Sequence, residues 1–164
     1  MPIKQEIEYY NSLPVVFNDF VDIPNLADDE IELFCTAKNE AVPEKNFVPS
    51  YVFEIKKDGA FIGEINIRIG YTEGIYYAGH IGCTIESPYR GRGYAVRACR
   101  LLIPIVKMHA MKKILITNDK DNTASIRLCE KLGAKLLRTV SLPEWHDLRE
   151  TGSCFVNVFE WTIA

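Results

Sequence analysis

Residues 85 to 95 read Ile-Glu-Ser-Pro-Tyr-Arg-Gly-Arg-Gly-Tyr-Ala, and no other segment narrows the fold as much. An alternating, strand-like pattern stops at Ile85, and an amphipathic helical pattern starts at Tyr94. The turn between them carries Arg90, Gly91, Arg92 and Gly93. A helix N-terminus leaves its first N–H groups unpaired and adds partial positive charge. Glycines there let the backbone approach an anion without a Cβ in the way, and arginines add charge-assisted contacts. The segment reads as a pyrophosphate cradle, the plainer alternative being a surface turn. It is neither G-x-x-x-x-G-K-S/T nor G-x-G-x-x-G. Arg-Gly-Arg-Gly also occurs in RNA-binding segments, but those are repeated and disordered. This copy is single and lies between a strand and a helix.

Around that junction the chain shows a mixed α/β pattern. Tyr51 to Ile55 alternates as a strand, and Asp58-Gly59 supplies the two-residue turn of a type I′ hairpin. Phe61 to Ile69 returns with Ile65, Ile67 and Ile69 on one face and Glu64, Asn66 and Arg68 on the other. Tyr76 to Ile85 is expected as a third strand. Tyr94 to Met111 reads as one helix with a kink at Pro104, which removes a donor and crowds the carbonyl of Arg100. Lys113 to Thr117 is a short strand. Asn122 caps a helix over 123–132 that Gly133 ends. Closing strands run over 135–142 and 155–163, joined by a polar loop over 143–153. Nearer the start, Val15 to Ile23 is rich in β formers and reads as an opening strand, and Asp28 to Thr36 as a short helix.

A length of 164 residues with no linker or repeat suits one domain over 1–164. The chain is 48% hydrophobic and 25% charged, which argues against disorder. Nineteen Lys and Arg against 22 Asp and Glu leave a net charge of -3, opposite to the basic excess of a general nucleic-acid or anionic-membrane binder. No apolar run approaches the ~20 residues of a membrane span. Met-Pro-Ile-Lys-Gln-Glu at the start has no signal-peptide core. Five cysteines, an odd count without a C-x-x-C pair, read as reduced thiols in a cytoplasmic protein rather than as disulfides or zinc ligands. No metal site is expected.

Arg90-Gly91-Arg92-Gly93-Tyr94-Ala95 resembles the signature of the GNAT superfamily of N-acetyltransferases: Gln or Arg, two residues of any kind, Gly, any residue, then Gly or Ala. The family's strand often ends Val-x-Pro; here it ends at Ile85, with Pro88 one place late. A second family element follows in Asn122-Thr-Ala-Ser125-Ile-Arg-Leu-Cys129-Glu-Lys-Leu-Gly133-Ala134. It is similar to N-x-x-A/S-x-x-L/F-Y-x-x-x-G-F/A except at one position. The likeness is good over about 50–138 and weak at the ends. Shorter stretches, Gly63 to Arg68, Gly79 to Gly82 and Asp119 to Asn122, resemble a poorly characterised branch of predicted acetyltransferases.

The resemblance implies a mixed, mostly antiparallel sheet with a splayed central strand pair and flanking helices. It implies acetyl-CoA as co-substrate and transfer of acetyl to a primary amine by direct attack on the thioester. N–H groups from Arg92, Gly93, Tyr94 and Ala95 would hold the pyrophosphate, with Arg90 and Gly91 assisting. Backbone groups of Cys83, Thr84 and Ile85 would bond the pantetheine amides. Asn122 would reach the pantetheine arm and Ser125 a phosphate, while Asn122 also suits a plain helix cap. Cys129 stands where the family usually has Tyr, either as proton donor to the leaving thiolate or as a buried packing residue. His80 and Glu64 are the other catalytic candidates. Gly79 and Ile81 leave the usual base position empty, and strand alternation turns His80 to the opposite face unless a bulge resets it. Glu86 is a further carboxylate. His109, at a helix end, reads as a surface residue suited to the helix dipole. Trp145, His146 and Asp147 lie in a loop that is either a substrate lid or a plain surface loop. The acceptor, a small-molecule or protein amine, is open; Asp119, Asp121, Glu144 and Asp147 would favour a cationic one. A homodimer is an analogy with the family only. The competing reading is a CoA-binding module with little or no catalysis.

Overall fold

The computed structural model describes all 164 residues. Its first ladder is a four-stranded antiparallel sheet in the order β1 (Glu32–Asn39), β2 (Ser50–Lys57), β3 (Ala60–Arg68) and β4 (Ile81–Ile85). Tyr51, Phe53 and Ile55 on β2 and Ile65 and Ile67 on β3 are fully buried on one face, as a period of two demands. The β2–β3 turn is type I′: Asp58 and Gly59 have φ of 49° and 80°. A second antiparallel sheet orders β5 (Lys113–Asp119), β7 (Phe155–Thr162) and β6 (Lys135–Ser141). The two sheets form separate ladders, so the chain carries the expected splayed pair at β4 and β5.

Helices cover both faces. The larger core lies between α3 (Tyr94–Leu101), α4 (Ile103–Met108) and α5 (Thr123–Leu132) and both sheets, the second sheet contributing Ile114, Ile116, Phe159 and Trp161. The smaller one packs α1 (Ile3–Asn11) and α2 (Glu73–Ala78) on the second sheet through Ile7, Tyr10, Tyr76, Tyr77 and Leu115. α5 begins after Asn122 and ends at Gly133, whose φ is 77°.

Four local expectations are corrected. Val15 to Ile23 forms no strand. Phe17, Phe20, Val21 and Ile23 pack on the larger core through side chains while Val15 and Val16 are exposed, and the backbone bonds elsewhere: Val16 N–H to the His109 carbonyl at 2.8 Å, and Val21 N–H to the Tyr51 hydroxyl at 2.8 Å. Asp28 does not cap a helix. Its Oδ1 accepts N–H from Glu30 and Ile31, both at 2.8 Å, in a turn that feeds β1. Pairing with β2 then overrides a weak local helical preference over eight residues. The expected strand over 76–85 is α2 followed by β4. Thr72 Oγ1 caps α2 by accepting from Ile75 N–H at 3.2 Å, and Gly79 ends it at φ 78°. Pro104 breaks the long helix rather than kinking it. It sits in the first turn of α4, where its missing donor costs nothing, and Leu102 is the joint. The loop over 143–153 holds a short 3-10 turn at Asp147–Thr151.

Candidate active site

The junction at 85–95 folds as a strand, a 3-10 turn at Ser87–Tyr89, two left-handed glycines and a helix. Gly91 and Gly93 have φ of 77° and 81°, a region costly for any residue with a Cβ. A Cβ at either would meet nothing within 4 Å, so both backbones border open space. Gly93 is the N-cap of α3 and offers no side-chain cap. The N–H groups of Arg92, Gly93, Tyr94, Ala95 and Val96 donate to no protein acceptor. Arg90 folds back, its Nε donating to the Ile85 carbonyl at 2.8 Å, and Arg92 is exposed. Beside this terminus lies a cavity of about 620 Å³ lined by Gly93, Val96, Leu101, three cations, Arg97, Arg100 and Lys131, and one carboxylate, Asp28. Arg97 is committed to Asp28 and Asp29, both at 3.0 Å. Arg100 Nη2 donates to the Lys131 carbonyl at 3.1 Å. Arg100 and Lys131 are basic groups that sequence reasoning missed, because only the α3–α5 packing brings them together.

β4 and β5 are tied at one point and separate beyond it. His80 N–H donates to the Leu115 carbonyl at 2.7 Å, and Leu115 N–H donates to His80 Nδ1 at 2.9 Å. Because Nδ1 accepts, Nε2 carries the hydrogen, and it donates to the Gly70 carbonyl at 2.8 Å. Both ring nitrogens are thereby spent on backbone. Burial, against the opposing Gly70 bond, lowers the pKa of His80 to about 4. The ring is a neutral strand tie with no nitrogen left for an amine. Gly79 is required just before it: a Cβ there would come 2.9 Å from Thr117 N.

The β3–β4 ladder decides which backbone groups face the cleft. Arg68 N–H donates to the His80 carbonyl and Glu86 N–H to the Ile62 carbonyl, both at 2.8 Å. In an antiparallel pair the bonded positions alternate, so Gly82 and Thr84 also turn their backbones to β3. The edge turned away from β3 consists of Ile81, Cys83 and Ile85, the Ile85 carbonyl being taken by Arg90 Nε. Of the three backbones expected at the cleft, Cys83 and Ile85 turn away from β3, whereas Thr84 pairs with Glu64 on β3. The side chain of Cys83 packs on the larger core, and burial pushes its thiol up to about 12.

Cys129 is fully buried on α5. Asn118 Nδ2 donates to its Sγ at 3.6 Å and to Ser125 Oγ at 3.1 Å. Asn157 Nδ2 donates to Asn118 Oδ1 at 2.9 Å, and Thr139 Oγ1 donates to Asn157 Oδ1 at 2.7 Å. Burial pushes the Cys129 thiol up to about 12, the Asn118 bond opposing it. The signal for this network was two asparagines inside otherwise apolar strands. Asn122 Oδ1 accepts from Ser125 N–H at 3.2 Å, the cap geometry. Glu64 is exposed on the polar face of β3, between Glu54 and Thr84. Glu86 is also exposed. On the same polar face as Glu64, Asn66 fills the space above Gly82, and its Oδ1 is buried without a partner.

His109 is a correction: it is buried, not on the surface. Its Nδ1 donates to the Val16 carbonyl at 2.8 Å, so Nε2 accepts from the Tyr51 hydroxyl at 2.7 Å. The loop with Trp145, His146 and Asp147 walls a cavity of about 660 Å³, together with the β1–β2 connection, α2 and Arg68. His146 is buried and bonded to the Gly74 carbonyl at 3.1 Å, whereas Trp145 is exposed. Asp119, Asp121 and Glu144 do not line this cavity.

A helix terminus with unpaired N–H groups, opening beside a forked sheet, defines a class of α/β proteins built to take an extended anionic ligand across the fork. The chain belongs to the GNAT acetyltransferase family, whose domain model matches residues 8–135. No curated protein sequence matches the chain significantly. Among solved structures it resembles RimL, a ribosomal L7/L12 alpha-N-protein acetyltransferase in complex with coenzyme A, at 14% identity and TM-score 0.60 over 83% of this chain and 96% of that one. It also resembles the Salmonella typhimurium acetyltransferase that modifies the N-terminal serine of L7/L12, at 17% identity and TM-score 0.56, covering 74% and 67%. A third likeness is to the microcin C7 self-immunity acetyltransferase MccE in complex with acetyl-CoA and AMP, at 19% identity and TM-score 0.54, covering 70% of this chain and 61% of that one. At these identities the likeness concerns the fold.

Proposed function

We propose that this acetyltransferase moves an acetyl group from acetyl-CoA to the primary amine of an acceptor held in the 660 Å³ cavity. The observation that carries the reading is the run of unpaired N–H groups from Arg92 to Val96, opening beside the split between β4 and β5. The pyrophosphate of the co-substrate would accept from these groups. Its 3′-phosphate would meet Arg100 and Lys131 in the neighbouring basic cavity. Its pantetheine amides would bond the free edge at Ile81 and Cys83, and at Ile85 once Arg90 turns from its carbonyl towards the phosphates, with Asn122 and Ser125 at the start of α5 beside the arm. When bound, acetyl-CoA supplies a thioester carbonyl open to attack by a neutral nitrogen.

An alkylamine has a pKa near ~10.4 and must lose a proton before it attacks. Glu64, exposed on the same sheet face as Arg68 but outside the lining of the 660 Å³ cavity, would receive it only through water. His80 has no free nitrogen for that task. Coupled release of CoA thiol and formation of an acetylated amine, followed across a panel of amines at saturating acetyl-CoA, tests the reading. Stoichiometric release with at least one amine is the expected result. Tight CoA binding with no acetylation of any amine would instead identify a binding module.

A further inference from the structure

Arg68 is the last residue of β3, next to the His80 tie where the cleft closes, and its side chain is on the polar face. Its guanidinium lines the 660 Å³ cavity and makes one hydrogen bond, from Nη1 to the Gly79 carbonyl at 2.8 Å. A guanidinium has five N–H donors, and no carboxylate lies within ion-pair distance of this one. Burial pulls its pKa below the usual arginine value, and only the more distant charge of Asp147 opposes that. A partly desolvated cation without a partner is costly unless an anion docks on it.

Resting on the acetyltransferase reading above, we propose that the acceptor is a small aminocarboxylate whose carboxylate is gripped by Arg68. A carboxylate matches the guanidinium fork in two parallel bonds. The same cavity is lined by Glu40, Glu44 and Asp147 against a second cation, Lys45, whose ammonium lies over the Phe47 ring at 5.9 Å; three carboxylates to two cations disfavour a doubly charged phosphate and favour the ammonium end of a zwitterion. Phe47 and Trp145, both largely exposed, add an apolar wall for a non-polar side chain. The volume falls within the ~300–1,000 Å³ of small-molecule sites.

The test is calorimetric titration of wild type, with and without saturating CoA, using leucine and phenylalanine, their decarboxylated counterparts isoamylamine and phenethylamine, and phosphoethanolamine. The expected result is binding of at least one amino acid at least ~10-fold tighter than its decarboxylated counterpart, with phosphoethanolamine weaker still. Arg68→Gln should erase that preference, and Arg68→Lys, which keeps the charge but loses the fork, should retain part of it. CoA titration of each variant reports folding; if Arg68→Gln does not fold, Arg68→Lys decides alone, with at least a threefold loss expected. Absence of amino-acid binding, equal binding of the decarboxylated amines, preferred binding of phosphoethanolamine, or an unchanged preference in a folded variant would overturn the proposal. If CoA itself fails to bind wild type, the acetyltransferase reading falls, while the titrations without CoA still judge Arg68.

Discussion

Cys129 holds a thiol whose acidity is set by burial, and that setting bears on whether it acts as an acid. A donor at about 12 handing its proton to a thiolate of ordinary pKa ~8.5 is roughly 5 kcal/mol uphill. The attacking nitrogen sheds its own proton as the amide forms and is the better source. Single-turnover acetyl transfer by Cys129→Ala should therefore stay within about threefold of wild type, while stability falls by about 1–2 kcal/mol. A loss of ~100-fold at equal cofactor saturation would return Cys129 to the role of general acid. His80 yields a prediction in pH. Its folded pKa, about 4, lies below the unfolded value near ~6.5, so between them the unfolded chain binds the extra proton. The contribution is full above ~6.5 and is lost as pH falls towards 4, by roughly 3 kcal/mol. Urea unfolding at pH 7, 5.5 and 4.5 should show that decline, and a folded His80→Gln should show much less of it. Neither environment was legible in the sequence. Alternation could turn His80 away from the substrate side, but its backbone partners, Gly70 and Leu115, come from other elements.

At the scale of elements, legibility followed the strength of local signals. Asn122 and Gly133 bracket α5, and its expected bounds are those observed, because a cap and a left-handed stop act within one turn of chain. Asp58-Gly59 placed its hairpin for the same reason. β1 and α2 were misread because their signals compete: Asp28 starts a turn as readily as a helix, and Thr72, the actual cap of α2, precedes a stretch rich in β-forming tyrosines. Asn122→Ala should cost about 1 kcal/mol in denaturant unfolding through the lost cap. It should also weaken CoA binding if the amide reaches the pantetheine arm. Normal affinity alongside the stability loss would leave Asn122 as a cap alone.

For the whole molecule, the decisive arrangement is the fork. One sheet ends at β4 and the other begins at β5, while the larger core takes side chains from both, Ile65 and Ile67 of the first and Ile114, Ile116, Phe159 and Trp161 of the second, so the strands fork without dividing the fold. The proposed cofactor side of the cleft could be read in the sequence because the loop over 85–95 is contiguous. The proposed acceptor side could not: Arg68, α2, the β1–β2 connection and the loop at 145–148 meet only once both sheets are assembled. On the proposed function, the N–H groups at the start of α3 hold the anionic part of acetyl-CoA. Calorimetric titration of acetyl-CoA into wild type and Gly93→Val tests it most directly. Valine is strained at φ 81° and places a branched side chain in the open space before those groups. Saturable binding by wild type, weakened at least ~10-fold in a variant whose circular dichroism remains native, is the predicted result. Equal affinity in the folded variant would contradict the account.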